Sequence, residues 1–172
     1  MKYIITERQY KVLTENKEKI LTLPGPEIFG GWVEMLKYLD KMGNPLYKIN
    51  GDLNLGNIDI ESLENLVYVK GDLNLYRTDL KSLGKLRYVG GDLNLRGTEV
   101  ESLNNLEYVE GDLDLFNSSV KDLGNLKYVG KDLDISLTPL SQKMTPEEIK
   151  NQVEVKGDIY DARARVQRIR EI

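Results

Sequence analysis

The 172-residue chain contains no cysteine and no histidine. Without cysteine there are no disulfides, no thiolate zinc or iron–sulfur sites and no thiol nucleophile. Without histidine there is no Ser-His-Asp or Cys-His catalysis, and most transition-metal sites are excluded. What survives is carboxylate chemistry, lysine or arginine chemistry, or none. Tryptophan occurs once and phenylalanine twice, against ten tyrosines. No apolar run approaches the roughly 18–20 residues that a membrane-spanning helix needs. The N-terminal patch Tyr3-Ile4-Ile5 is too short for a secretory signal and meets charge at once. These absences lead to the expectation of a cytoplasmic protein that neither spans nor binds a membrane. Apolar residues make up 40% of the chain and charged residues 30%, a balance that buries a core and keeps a solvated surface. The length suits one domain.

The net charge of −4 is unevenly spread. Residues 1–50 carry 8 basic and 6 acidic side chains, residues 51–140 carry 9 and 16, and residues 141–172 carry 7 and 6. The acidic middle should repel nucleic acid, because phosphate binding needs clustered cations. No nucleic-acid partner is expected.

What is abundant is repetition. Gly51-Asp52-Leu53-Asn54-Leu55 returns at Gly71, Gly91 and Gly111, and a fifth copy begins at Lys131. The period is 20 residues without a gap, and a ragged sixth entry follows an insertion at Gly157-Asp158-Ile159. Leu73 and Leu75, two apart, point to one side of a strand. Leu80, Leu83, Leu86 and Val89 follow at intervals of three, the spacing of a tight return arc. One such coil cannot bury its own apolar face, so the coils must stack, with like strands in parallel.

The run Leu73-x-Leu75-x-x-Thr78-x-Leu80-x-x-Leu83-x-x-Leu86 resembles a short bacterial leucine-rich repeat. The Val-x-Gly-Asp-Leu-x-Leu entry is similar to the repeats of receptor L domains, over about residues 47–160. Thr78, Thr98, Ser118 and Thr138 stand where a leucine-rich repeat usually has asparagine. The resemblance implies an α/β repeat solenoid with a single short parallel β-sheet and helical caps at both ends. It is specific for fold and silent about activity.

The expected organisation is a helical N-terminal cap (1–50), five repeats (51–140) and a C-terminal cap (141–172), as one structural domain. In the first cap, Thr6 starts a helix from about Glu7 with Gln9 as its capping-box partner. A second helix covers about Gly31–Met42, and Leu23-Pro24-Gly25-Pro26 is a breaker loop between them. In the last segment, Thr145-Pro146-Glu147-Glu148 starts a short helix. A tail containing Arg163, Arg165, Arg168 and Arg170 follows, with Val166 and Ile169 on one side. Separately, Ile4-Ile5-Thr6-Glu7-x-Gln9-Tyr10 resembles the N-termini of small proteins of large tailed bacteriophages. That resemblance implies a phage protein acting in the host cytosol or on a virion component.

Several columns run through the repeats. The aspartates Asp52, Asp72, Asp92, Asp112, Asp132 and Asp158 read either as acceptors for turn amides or as calcium ligands, although the glycine-rich calcium nonapeptide is absent. Asn54, Asn74, Asn94, Asp114 and Asp134 should point outward. Beside them lies a variable column, Gly56, Tyr76, Arg96, Phe116 and Ser136, flanked by Arg77 and Asn117. Tyrosine and arginine dominate binding hot spots. Tyr68, Tyr88, Tyr108 and Tyr128 should cover the core edge with their hydroxyls in water. Asn65, Asn105 and Asn125 read as turn-stabilising.

The function expected from these residues is non-catalytic. A protein partner, not identified by the sequence, is bound on the strand side through Tyr76, Arg77, Arg96, Phe116 and Asn117 with Asn74, Asn94 and Asp114. No cofactor and no metal is required. Two other readings stay open: a structural component that self-associates, and a glycan-active enzyme using paired carboxylates such as Asp114 and Asp134.

Overall fold

The computed structural model describes residues 20–162. The Thr6-capped helix, the phage-like N-terminus and the arginine tail beyond Ala162 lie outside the described residues. Within them the chain is a parallel-strand solenoid of stacked 20-residue coils, compatible with a leucine-rich-repeat-like repeat.

Each coil contributes two short strands rather than the one expected, so the solenoid has two sheets, not a single one. The first sheet contains β1 (Leu21–Leu23), β2 (Tyr47–Ile49), β4 (Leu66–Val69), β6 (Tyr88–Val89), β8 (Tyr108–Val109), β10 (Tyr128–Val129) and β12 (Glu154–Val155), in that order. The second contains β3 (Leu53–Asn54), β5 (Leu73–Asn74), β7 (Leu93–Asn94), β9 (Leu113–Asp114), β11 (Leu133–Asp134) and β13 (Ile159–Tyr160). Among the described residues the strands of both sheets pair in parallel, and Leu73 lies against Leu93, Leu93 against Leu113, Tyr88 against Tyr108. The first sheet was missed because a Tyr-Val pair is too short to show alternation, and Val89 also fits the three-residue rhythm of the arc.

The arc itself follows the spacing. Leu66, Leu86, Leu106 and Leu126 each donate an amide to the leucine carbonyl three residues earlier, at 3.0–3.1 Å. Leu73, Leu75, Leu80, Leu83, Leu86 and Val89 are all buried in one continuous core. At about 1.5–3 kcal/mol per fully buried aliphatic side chain, each added coil deepens a single shared core. The buried Thr78, Thr98, Ser118 and Thr138 hydroxyls donate to the carbonyls of Leu75, Leu95, Leu115 and Ile135, at 3.0, 2.9, 2.7 and 2.6 Å. They satisfy a turn inside their own coil. Asn65 and Asn105 instead join coils, donating to Asn44 and Gly84 carbonyls at 2.6 and 2.8 Å.

The described part of the segment before the repeats, residues 20–50, is only partly helical. A helix spans Trp32–Lys41, with Trp32, Met35 and Leu39 in the core, but β1 and β2 join the first sheet. Pro26–Phe29 forms a 3₁₀ turn where a plain loop was expected. Near the other end, two short helices cover Pro139–Lys143 and Pro146–Lys150. Thr145 is the N-cap and Pro146 lies in the first turn, as expected, and Thr145 and Glu148 also form a capping box.

The tyrosine column corrects another expectation. Tyr68, Tyr88 and Tyr108 are buried, and Tyr88 is 0% exposed. Because Val89 enters the main core, Tyr88 lies on the opposite, outer face of the first sheet. Its ring stacks on Tyr68, centroids 4.7 Å apart and planes 7° apart. The hydroxyls are therefore not generally in water.

Candidate functional site

The outer face of the second sheet carries three parallel columns. Leu73 and Leu75 face the core and Asn74 faces outward from the strand, with Asp72 just before the strand and Tyr76 in the turn just after it, and each following coil repeats the pattern.

The aspartate column binds the solenoid to itself. Asp52 Oδ1 accepts the Asp72 amide at 2.9 Å, and Asp72 and Asp92 accept the next amides at 2.8 Å. Asp112 and Asp132 continue the series at 2.9 and 2.8 Å. The amides come from the next coil's aspartate, not from the same turn. This ladder explains the glycine of the motif: a Cβ on Gly71, Gly91 or Gly111 would stand 1.9–2.0 Å from the preceding coil's Asp Oδ1. Lys131 departs from that column, yet Asp132 still donates at 2.9 Å, so the corner adjusts there. Lys131 Nζ reaches back two coils to Asp92 Oδ1 at 3.1 Å. Partial burial pushes the Asp92 carboxyl up, but the Asp112 amide and the Lys131 ammonium outweigh it, and its pKa lies below the ordinary value. Lys131 was not singled out from sequence, although a lysine in a glycine column was the available signal. Among the described residues no group of three or more acidic side chains is placed to hold a metal ion.

The second column sets the next residue's backbone. Asn54, Asn74, Asn94, Asp114 and Asp134 each accept the amide two residues on with Oδ1, at 2.8–3.1 Å. Asn74 Nδ2 also donates to Asn54 Oδ1 at 3.0 Å. Asn74, Asn94 and Asp114 thus fix the backbone of Tyr76, Arg96 and Phe116.

The variable column is where side chains differ. Arg96 lies over the Phe116 ring at 4.3 Å and its Nη1 donates to Asp114 Oδ2 at 3.1 Å. Arg96, Phe116 and Asp114 therefore form one cluster across two coils. Tyr76 is held one coil away, with the Arg77 guanidinium 5.1 Å from its ring centre. Tyr76, Arg96 and Phe116 are half-buried, and Arg77 and Asn117 are exposed. Arg77 and Asn117 have φ of 53° and 55°, the left-handed turn position that glycine holds at Gly97. They donate backbone amides to Arg96 and Ser136 carbonyls at 3.0 Å. The structure brings Arg96, Phe116 and Asp114 together, keeps Tyr76 and Arg77 as a neighbouring pair, and uses Asn117 in the turn. Asp114 is committed to Arg96 and the Phe116 amide, and Asp134 accepts the Ser136 amide.

No helix among the described residues is long and apolar enough to cross a membrane. Compared with protein-family models, with curated proteins and with solved structures, the chain matches none.

Proposed function

We propose that the solenoid is a non-catalytic protein-binding module whose contact surface is the outer face of the second sheet, centred on Arg96 and Phe116 with Tyr76 beside them. The observation that carries this reading is the Arg96–Phe116–Asp114 cluster. A guanidinium stacked on a ring and hydrogen-bonded to a carboxylate is already ordered, and so loses little side-chain entropy when a partner covers it. The supporting strands are invariant in form while this column changes residue from coil to coil, so the scaffold is rigid and the variation is confined to one line. The aspartate column, and Asp114 and Asp134 in the column next to it, favour a partner with basic residues beside an apolar centre. On the same reading the Trp32–Lys41 helix and the helices within 139–150 close the ends of the stack, and the protein works in a cytoplasm, that of a host if the phage-like N-terminus reflects its origin.

The test is a tagged pull-down from host lysate with wild type and a Tyr76→Ala, Arg96→Ala, Phe116→Ala triple variant of matched fold. A protein captured by the wild type and lost with the triple variant is the expected result. A partner held equally by both places the contact elsewhere and overturns the reading.

A further inference from the structure

We propose that Asn50 is a self-modification site: it loses its side-chain amide to the backbone nitrogen of Gly51, without an enzyme, and the product loosens the junction between the N-terminal strands and the repeats. Asn-Gly occurs once in the chain, at Asn50-Gly51. Asn50 lies between β2 and β3, at the corner where the chain leaves the first sheet for the second. The same position in later coils holds Lys70, Gly90, Glu110 and Gly130, none of which carries a side-chain amide.

The reaction needs a backbone nitrogen able to reach the asparagine Cγ. Asn50 is exposed. Among the described residues, neither its side chain nor the Gly51 amide has a hydrogen-bond partner. The Gly71, Gly91 and Gly111 amides, by contrast, each donate to the glycine carbonyl one coil back at 3.0 Å. Other asparagines are followed by amides already in use. The Leu55, Leu75 and Leu95 amides, after Asn54, Asn74 and Asn94, donate to the next coil at 2.8–2.9 Å. The Ser118 amide, after Asn117, donates to the Leu115 carbonyl at 3.0 Å. Gly51 also lacks the packing reason that its counterparts have. A Cβ on Gly71, Gly91 or Gly111 collides with the preceding coil's Asp Oδ1, whereas a Cβ on Gly51 meets nothing within 4 Å, and the Gly51 φ is not positive. The fold therefore tolerates alanine at 51. The reaction favours glycine, because no side chain hinders the nitrogen's approach and the backbone is permissive.

Hydroxide removes the Gly51 amide proton, and the nitrogen bonds to Asn50 Cγ. The Cγ–Nδ2 bond breaks, and Nδ2 takes a proton from water and leaves as ammonia. Water then opens the cyclic imide. Cleavage of the new N–Cγ bond gives aspartate. Cleavage of the original peptide bond gives isoaspartate, whose main chain is one carbon longer. That carbon enters a tightly held corner. The Asn50 amide donates to the Leu23 carbonyl at 2.9 Å, and the Ile49 and Gly51 carbonyls accept the Lys70 and Gly71 amides at 3.0 Å. The longer link strains or breaks one of these bonds, and so weakens the hold of β1 and β2 on the first coil.

Ageing the full chain at mildly alkaline pH, with peptide mapping by mass spectrometry, tests this. Asn50 should convert to aspartate and isoaspartate before Asn57 or Asn117 does. Gly51→Ala should keep the wild-type denaturation midpoint and convert about ten-fold more slowly, ~1.4 kcal/mol in the barrier. Should Gly51→Ala unfold, Asn50→Gln, which must close a larger ring, should show the same slowing. Aged protein enriched in isoaspartate should unfold at lower denaturant than Asn50→Asp. An Asn50 that stays intact in the folded chain while the urea-unfolded chain converts overturns the proposal. So does equal conversion at Asn57 and Asn117, or wild-type speed in the slowed variant. Equal midpoints for the isoaspartate form and Asn50→Asp overturn the loosening of the junction.

Discussion

At the scale of single residues, the molecule spends its polar side chains on holding coils together. Glu107 is the clearest case. Its buried carboxylate accepts from Arg87 of the preceding coil, with Nε at 2.8 Å and Nη2 also in contact, and from Lys127 of the following coil. Burial pushes its pKa up, but Lys127 and then Arg87 outweigh burial, and the carboxyl ends below its ordinary value. A depressed carboxyl pKa contributes stability that is present above the unfolded value and lost as pH falls through the folded one. Stability should therefore begin to drop near pH 4.5 and continue to drop below it, and Glu107→Gln should flatten that decline in denaturant titrations at several pH values. Glu107→Ala at neutral pH should cost about 1–3 kcal/mol, since two cations lose their acceptor. Leu137 offers the opposite outcome. Its φ is 59° and its side chain is 58% exposed, so it carries left-handed strain without packing in return. The strain costs about 1–2 kcal/mol, and glycine's extra chain entropy gives back about 0.5–1. Leu137→Gly should then raise stability by about 0.5–1 kcal/mol, read as a shift in denaturation midpoint with unchanged slope.

At the scale of elements, a coil is a two-cornered loop: strand, turn, arc, strand, corner. Its repeat length, the buried leucine columns and the Thr145 cap were legible in the sequence because each depends on residues within one coil or one turn. The first sheet was not, because Tyr88-Val89 is two residues long and shows itself as a strand only in its pairing with Tyr68-Val69 and Tyr108-Val109. The strands β1 and β2 were missed for the same reason: Leu21–Leu23 and Tyr47–Ile49 carry no repeat signature and are strands because a neighbouring coil pairs with them. Of the candidate site, the column of Tyr76, Arg96 and Phe116 was legible from the repeat, and the structure places it in the turn after each strand. The Arg96–Phe116 stack was not legible, since it depends on a rotamer choice between coils. If coils are the elementary units, deleting residues 91–110 should give a folded solenoid, because Gly111 then follows Gly90 as Gly91 does now. Its denaturant slope should fall by roughly a tenth, in proportion to surface lost. Deleting only residues 91–100 should abolish cooperative unfolding, because it breaks both ladders.

At the scale of the whole molecule, the two outer faces differ in kind. One bears buried tyrosines and charges already bridged between coils. The other bears acidic and amide columns whose backbone duties are met, with Tyr76, Arg96 and Phe116 standing beside them. On the proposed reading, the second sheet is the face for a partner. The most direct test is the affinity of the captured partner for wild type, for Arg96→Ala and Phe116→Ala, and for Lys81→Ala and Lys121→Ala, which change exposed arc positions. The account predicts that Arg96→Ala and Phe116→Ala each weaken binding by about 30-fold or more, a loss of ~2 kcal/mol, with the arc variants at wild-type affinity. Equal affinity across all five proteins would contradict it.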